Sequence, residues 1–179
     1  MIPPDAIDFN KISVRKLEIS DDFSDFKCDK DDDRGCDEFI HKENEAKLYQ
    51  KEKFGITYLF FYESVMLGYV TLAMSSIPAQ RMARKFRKEV HLQFYPSLLV
   101  GRLAVANGWR AKGIGDYLCK WGVGVARSMS ERIGCRYVIL NTSEGKKTNY
   151  YGKRGFQVGK KVEGDKEGLV WMYLRLVVD

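Results

Sequence analysis

Proline and histidine are scarce in this chain, with 4 and 2 in 179 residues, and its 4 cysteines are scattered. Few prolines and 16 glycines without a repeat exclude a collagen-like chain, and a hydrophobic share of 45% excludes a disordered one. Cys28, Cys36, Cys119 and Cys135 form no Cys-x-x-Cys pair, so neither a zinc ribbon nor a secreted disulfide framework is indicated, and buried reduced thiols are expected. His41 and His91 lack partners at metal-ligand spacing. Asp29, Asp31 and Asp33 imitate a calcium loop, but the glycine falls one place late at Gly35 and Ile40 occupies the closing glutamate position. No apolar run approaches the roughly 18 residues that span a bilayer, and the start lacks the basic and apolar regions of a signal peptide. The expectation is a cytoplasmic protein with no metal and no membrane partner.

The length suits one domain over 1–179, with a core over about 12–177. Thirty basic against 24 acidic residues leave a net charge of +6, a weak bias towards polyanions. A first strand is expected at 14–17, an acidic loop at 21–33, and a helix from Gly35 on the stripe Cys36, Phe39, Ile40 and Ala46. The β-branched and aromatic runs 56–62 and 66–74, three residues apart, predict an antiparallel hairpin. A basic, helix-compatible insertion at 81–88 precedes a central strand at 97–105. Ile114, Tyr117, Leu118, Trp121, Val125 and Met129 then build one apolar helix face. A buried strand at 136–140, a short helix at 148–153 and strands at 156–158 and 169–177 complete an α/β domain with a mixed sheet.

The most informative stretch lies between the central strand and the long helix. Gly108, Gly113 and Gly115 sit where a strand delivers the chain to a helix start. Glycines let backbone N–H groups converge without side-chain obstruction, the first helical turn adds its own unbonded N–H groups, and the helix dipole favours an anion there. Such a turn suits a pyrophosphate, with Arg110 and Lys112 as positive charge beside it. The spacing is neither a dinucleotide-binding Gly-x-Gly-x-x-Gly nor a Walker loop.

Arg110-Ala111-Lys112-Gly113-Ile114-Gly115 resembles the Arg/Gln-x-x-Gly-x-Gly/Ala loop of the GNAT superfamily of N-acetyltransferases. Tyr150-Tyr151 followed by Gly155-Phe156 matches that family's aromatic-Tyr-x-x-x-Gly-Phe motif, and Gly101-Arg-Leu-Ala-Val105 matches its cofactor-pairing strand. A closer likeness is to the branch with toxin-type enzymes that acetylate aminoacyl-tRNA, through Phe26-Lys-Cys28, Phe39-Ile40, Gly68-Tyr-Val-Thr-Leu72 and Met172-Tyr173-Leu174. The sequence departs from that branch before the tyrosine, where Glu144 and Lys147 replace a common Asp or Asn and an Ala.

The resemblance implies a single GNAT-type domain with a mixed, mostly antiparallel sheet flanked by helices. It also implies direct acetyl transfer from acetyl-CoA to a primary amine. Leu103, Ala104, Val105, Arg110, Ala111, Lys112, Gly113, Ile114 and Gly115 would hold acetyl-CoA, with Val105 N–H facing the oxyanion, and Tyr151 would protonate the departing thiolate. Glu43, His91 and Glu144 are the nearest candidates for a general base, and none is assigned. Three acceptors compete: an aminoacyl-tRNA amine, a protein amine and a small amine. The cluster Arg81, Arg84, Lys85, Arg87 and Lys88 favours tRNA. A non-catalytic acetyl-CoA-binding module is the rival outside the enzymes, and a homodimer stays open.

Overall fold

The computed structural model describes residues 7–30, 32, 34–42, 45–83 and 92–176. Their strands form one seven-stranded sheet in the order β1-β2-β3-β4-β5-β7-β6. These are β1 (Ile12–Lys16), β2 (Ile56–Tyr62), β3 (Val65–Pro78), β4 (Phe94–Val105), β5 (Tyr137–Ser143), β6 (Gln157–Val158) and β7 (Leu169–Arg175). Four α-helices accompany them: α1 (Cys36–His41), α2 (Glu45–Lys51), α3 (Ile114–Ile133) and α4 (Lys146–Gly152). The sheet is mixed and mostly antiparallel, as the sequence reading expects, with β4 and β5 as the parallel pair. No helix among the described residues is long and apolar enough to cross a membrane. The chain divides into two compact units, 1–73 with 101–122 and 74–100 with 123–179, and the division passes through β3, β4 and α3.

In the first unit, β1 pairs with β2 from Ile12↔Tyr62 to Lys16↔Tyr58, and β2 pairs with β3 from Ile56↔Leu72 to Tyr62↔Val65. The hairpin turn is two residues, Glu63 and Ser64, because Val65 joins the strand and Glu63 takes a left-handed φ of 56°. Alternation along these strands sends side chains to two faces. On one, Phe60 meets Tyr117 and Trp121 edge-on, and Tyr58 lies 4.7 Å from Trp121, so this part of the α3 stripe read from sequence packs here. Leu118 at its centre is fully buried, and truncating such a leucine to alanine costs about 2–5 kcal/mol. On the other face Tyr69 stacks with Phe39 of α1 and donates its hydroxyl to the Cys36 carbonyl at 2.6 Å.

The single helix expected from Gly35 is two short ones. Lys42 takes an extended backbone (φ −74°, ψ 127°) that closes α1, while Cys36, Phe39, Ile40 and Ala46 are all buried as their spacing requires. Gly68 has a specific reason to lack a side chain, since the Ala104 carbonyl oxygen occupies the place a Cβ would take. The Ala106 N–H then donates to the Leu67 carbonyl at 2.8 Å, fixing how β4 leaves for the turn that follows.

In the second unit, β4 and β5 pair from Ser97↔Tyr137 to Val100↔Leu140, and β5 pairs antiparallel with β7 along its whole length. Ile77, Met82, Tyr95, Tyr137, Ile139 and Tyr173 form one buried cluster. That cluster explains why β3 runs on to Pro78 and β4 begins at Phe94, both beyond the stretches read from sequence: Ile77 and Tyr95 gain burial only if the strands extend. Of the expected basic helix at 81–88, residues 84–88 lie outside the described residues, and Arg81 ends a short 3-10 turn, Ala79–Arg81.

Candidate functional site

The turn after β4 belongs wholly to the first unit. Asn107–Trp109 form a 3-10 turn anchored by Trp109, which is buried and lies 5.8 Å from Tyr62. Ala111 and Gly113 then both take left-handed backbones, at φ 61° and 79°, directly before α3. Ala111, a non-glycine residue in that conformation, stores strain of about 1–2 kcal/mol, and Gly113 takes it without that cost. The Gly113 carbonyl accepts the Tyr117 N–H at 3.0 Å, so α3 begins at once, and its first-turn N–H groups have no intrahelical acceptor. Asp116 in that turn pairs with Lys120 at 2.8 Å. A Cβ at Gly113 would lie 3.2 Å from the ring of Phe9, which stacks on Tyr117 at 5.4 Å. What such a backbone can offer an anion is main-chain N–H donors at a helix start, which cannot rotate away.

The loop around residues 27–30 braces the turn. Asn107 N–H donates to the Lys27 carbonyl at 2.8 Å, and its side chain accepts from Lys30 N–H at 3.2 Å and donates to Asp29 at 2.6 Å. That last contact lowers the Asp29 pKa below its ordinary value. Arg110 is turned into the protein: its guanidinium donates to the Cys28 carbonyl at 2.8 Å and to the Val105 carbonyl at 3.4 Å. Arg110 and Lys112 are both expected as positive charge beside the turn, and Arg110 ties the end of β4 to the bracing loop.

The tyrosine motif belongs to the second unit. Gly145, at φ 89°, starts α4, and the Thr148 hydroxyl donates to the Ser143 carbonyl at 3.0 Å, so the helix is fastened to the end of β5. Tyr151 is half-buried, with its ring edge-on to Phe156 at 5.7 Å and to Tyr150 at 5.0 Å. Phe156 N–H donates back to the Tyr151 carbonyl at 3.2 Å, and Gly155 makes the reversal with φ 85°. The Gly-Phe of the motif therefore sets where the Tyr151 ring lies.

Of the base candidates, Glu43 and His91 lie outside the described residues, and Glu144 is an exposed carboxylate 3.3 Å from Lys161. All four cysteines are free and buried, and burial raises the pKa of Cys28, Cys36 and Cys135, which disfavours a thiolate nucleophile. Arg81, expected among phosphate-facing cations, is only 8% exposed. It makes two hydrogen bonds to Asp165, at 2.8 and 2.5 Å, and stacks over Trp171 at 4.7 Å. No sequence signal links these three residues, which come from separate parts of the chain.

No protein-family model and no curated protein matches the sequence. Solved structures do match. AtaT complexed with acetyl-methionyl-tRNA is 20% identical, with 89% of this chain and 93% of that one covered at a TM-score of 0.75. A tyrosine-to-phenylalanine mutant of KacT is 19% identical, covering 90% and 94% at 0.73. AtaTR bound with acetyl-CoA is 19% identical, covering 94% and 95% at 0.70. The chain shares its fold with these proteins over nearly its full described length, and this is the GNAT-type fold class that the sequence motifs imply.

Proposed function

We propose that the protein is an N-acetyltransferase that moves the acetyl group of acetyl-CoA directly to a primary amine. The observation that carries the reading is the pair of left-handed residues, Ala111 and Gly113, opening onto the first turn of α3. The strain at Ala111 in this short turn has a use when an anion pays for it. The diphosphate of acetyl-CoA meets the N–H groups of residues 111–115, and Lys112 adds a positive charge. Leu103, Ala104 and Val105 offer the pantetheine arm an extended backbone edge.

The chemistry follows from the groups available. A neutral amine attacks the thioester carbonyl, the C–N bond forms, and the oxygen takes negative charge that the Val105 N–H stabilises as a fixed dipole. Collapse breaks the C–S bond, and the thiolate takes its proton from the Tyr151 hydroxyl. A phenol near pKa ~10 and a thiol near ~8.5 are close enough for that transfer. Water removes the amine's surplus proton. The buried cysteines support direct transfer over an acetyl-cysteine route.

The acceptor we favour is the α-amine of an aminoacyl-tRNA. The net charge of +6 supports it, as do neighbours described as complexed with acetyl-methionyl-tRNA and bound with acetyl-CoA. Incubating the protein with acetyl-CoA and aminoacylated tRNA, and reading both free thiol and N-acetyl-aminoacyl ester, tests the reaction. Acetyl-CoA should also raise the melting temperature by mass action, and an unchanged melt at saturating acetyl-CoA would overturn the reading.

A further inference from the structure

The second unit holds a cavity of about 400 Å³ lined in part by Asn141 of β5, Leu169 and Trp171 of β7, Arg81, and Asp165 and Lys166 of the β6–β7 connection. We propose that this cavity is a single-nucleotide site that takes the terminal nucleotide of a nucleic-acid acceptor and prefers adenine. The volume lies within the range of small-ligand sites and admits one nucleotide, not a duplex.

Asn141 lies opposite Trp171 in the β5–β7 register, so both project from the same face of the sheet. Its Oδ1 is buried and has no hydrogen bond among the described residues. A buried acceptor left without a donor favours a ligand that brings an N–H group. A side-chain amide presents a donor and an acceptor side by side, and adenine answers with its N6 amino group and N7, the pairing that Asn and Gln make most often.

The wall beside it is planar. The Arg81 guanidinium lies over the Trp171 ring at 4.7 Å, and single-stranded bases stack on aromatic rings and on guanidinium planes. Both Arg81 hydrogen bonds to Asp165 neutralise its charge, so Arg81 serves as a plate and not as an anion receptor. That leaves the phosphate to Lys166, exposed on the same connection. Pairing also locks the connection in place: Lys160 N–H donates to the Arg81 carbonyl at 2.8 Å, and Val162 N–H donates to Asp165 at 2.9 Å. The cavity thus has a rigid lip, a flat wall, a base-reading amide and one cation. A peptide amine would use none of the flat wall.

This inference rests on the acetyltransferase reading only for the statement that the bound nucleotide belongs to the acceptor. Calorimetric titration of the full chain with AMP, UMP and adenosine, in saturating CoA so that the adenine of the cofactor fills its own site, tests it. AMP should bind saturably, UMP about tenfold more weakly, and adenosine more weakly than AMP. Asn141→Leu should lose about tenfold or more in AMP affinity and no longer separate AMP from UMP. Lys166→Glu, on an exposed connection where folding is not at stake, should bind AMP no better than adenosine. No saturable AMP binding, equal AMP and UMP affinities in the wild type, or wild-type AMP binding in either variant would overturn the proposal. A separate acetyl-CoA titration distinguishes the two readings: its failure removes the acetyltransferase, while adenine selectivity at Asn141 stands or falls on its own data.

Discussion

The guanidinium of Arg154 lies over the ring of Tyr150, 3.4 Å from its centroid, and donates to the Tyr150 carbonyl at 2.6 Å. One of the two adjacent tyrosines is therefore clamped by a cation, while the ring of its neighbour Tyr151 meets Tyr150 and Phe156 edge-on. Successive residues on a helix point about 100° apart, so the two hydroxyls cannot serve the same sulfur. Tyr151→Phe should leave acetyl-CoA affinity unchanged and lower turnover on the order of 100-fold, the loss of a general acid. Tyr150→Phe keeps the ring beneath Arg154 and should hold turnover within a few-fold. Parallel kinetics and calorimetry on both variants check this, and equal turnover in the two would reduce Tyr151 to packing.

Arg110 and Lys112 stand two residues apart and should behave differently. Arg110 holds the Cys28 and Val105 carbonyls, so Arg110→Ala removes hydrogen bonds to a charged donor, worth about 1.5–3 kcal/mol each at most, and should lower the melting temperature without any ligand. Lys112→Ala should bind acetyl-CoA more weakly, with a gap that narrows as salt rises. A melting temperature for Arg110→Ala equal to that of the wild type would contradict the bracing role.

Periodicity made the β2–β3 hairpin and the α3 face readable from sequence, because each element buries a whole row of side chains and one misplaced residue weakens the pattern little. The glycine turn was readable for a different reason: Gly113 at φ 79° is a requirement that few residues meet. Its strained partner Ala111 carried no such signal. The break between α1 and α2 was not readable, since Phe39, Ile40 and Ala46 keep their spacing across it. Nor was the fate of Arg81, which looks like one more cation of a basic run. Its burial depends on Asp165, 84 residues away, and on Trp171, and only the folded sheet brings a carboxylate and an indole to it. The same holds for Asn141, which reads as one polar residue at the end of an apolar strand until the cavity is seen.

The Arg81–Asp165 pair should make stability depend on acid. Hydrogen bonding from Arg81 holds the Asp165 carboxyl down from 3.8 to about 2. A carboxyl depressed in the folded state stabilises it fully above the unfolded pKa near 3.8, and the contribution fades as pH falls through about 2. Asp165→Asn should therefore melt below the wild type at neutral pH, with the difference closing between pH ~4 and ~2. Thermal melts of both proteins across that range check the sign, and a difference that grows towards low pH would contradict it.

Gly113 offers the sharpest separation of binding from folding. Valine at this position would have to adopt φ 79°, a region that β-branched residues avoid, and would press its Cβ to 3.2 Å from the Phe9 ring. The strain amounts to about 1–2 kcal/mol, well within what a domain of this size tolerates. Since Gly113 and Phe9 are both exposed, the ring can give way without opening the core. Gly113→Val should thus remain folded, with a modestly lower melting temperature and an unchanged far-ultraviolet spectrum. If the diphosphate uses this turn, the new methyl groups crowd it, so acetyl-CoA should no longer bind and should no longer raise the melt. Gly113→Ala, with the same positive φ but less bulk, should fall between the two. Calorimetry that finds wild-type acetyl-CoA affinity in folded Gly113→Val would show that the diphosphate does not use this turn.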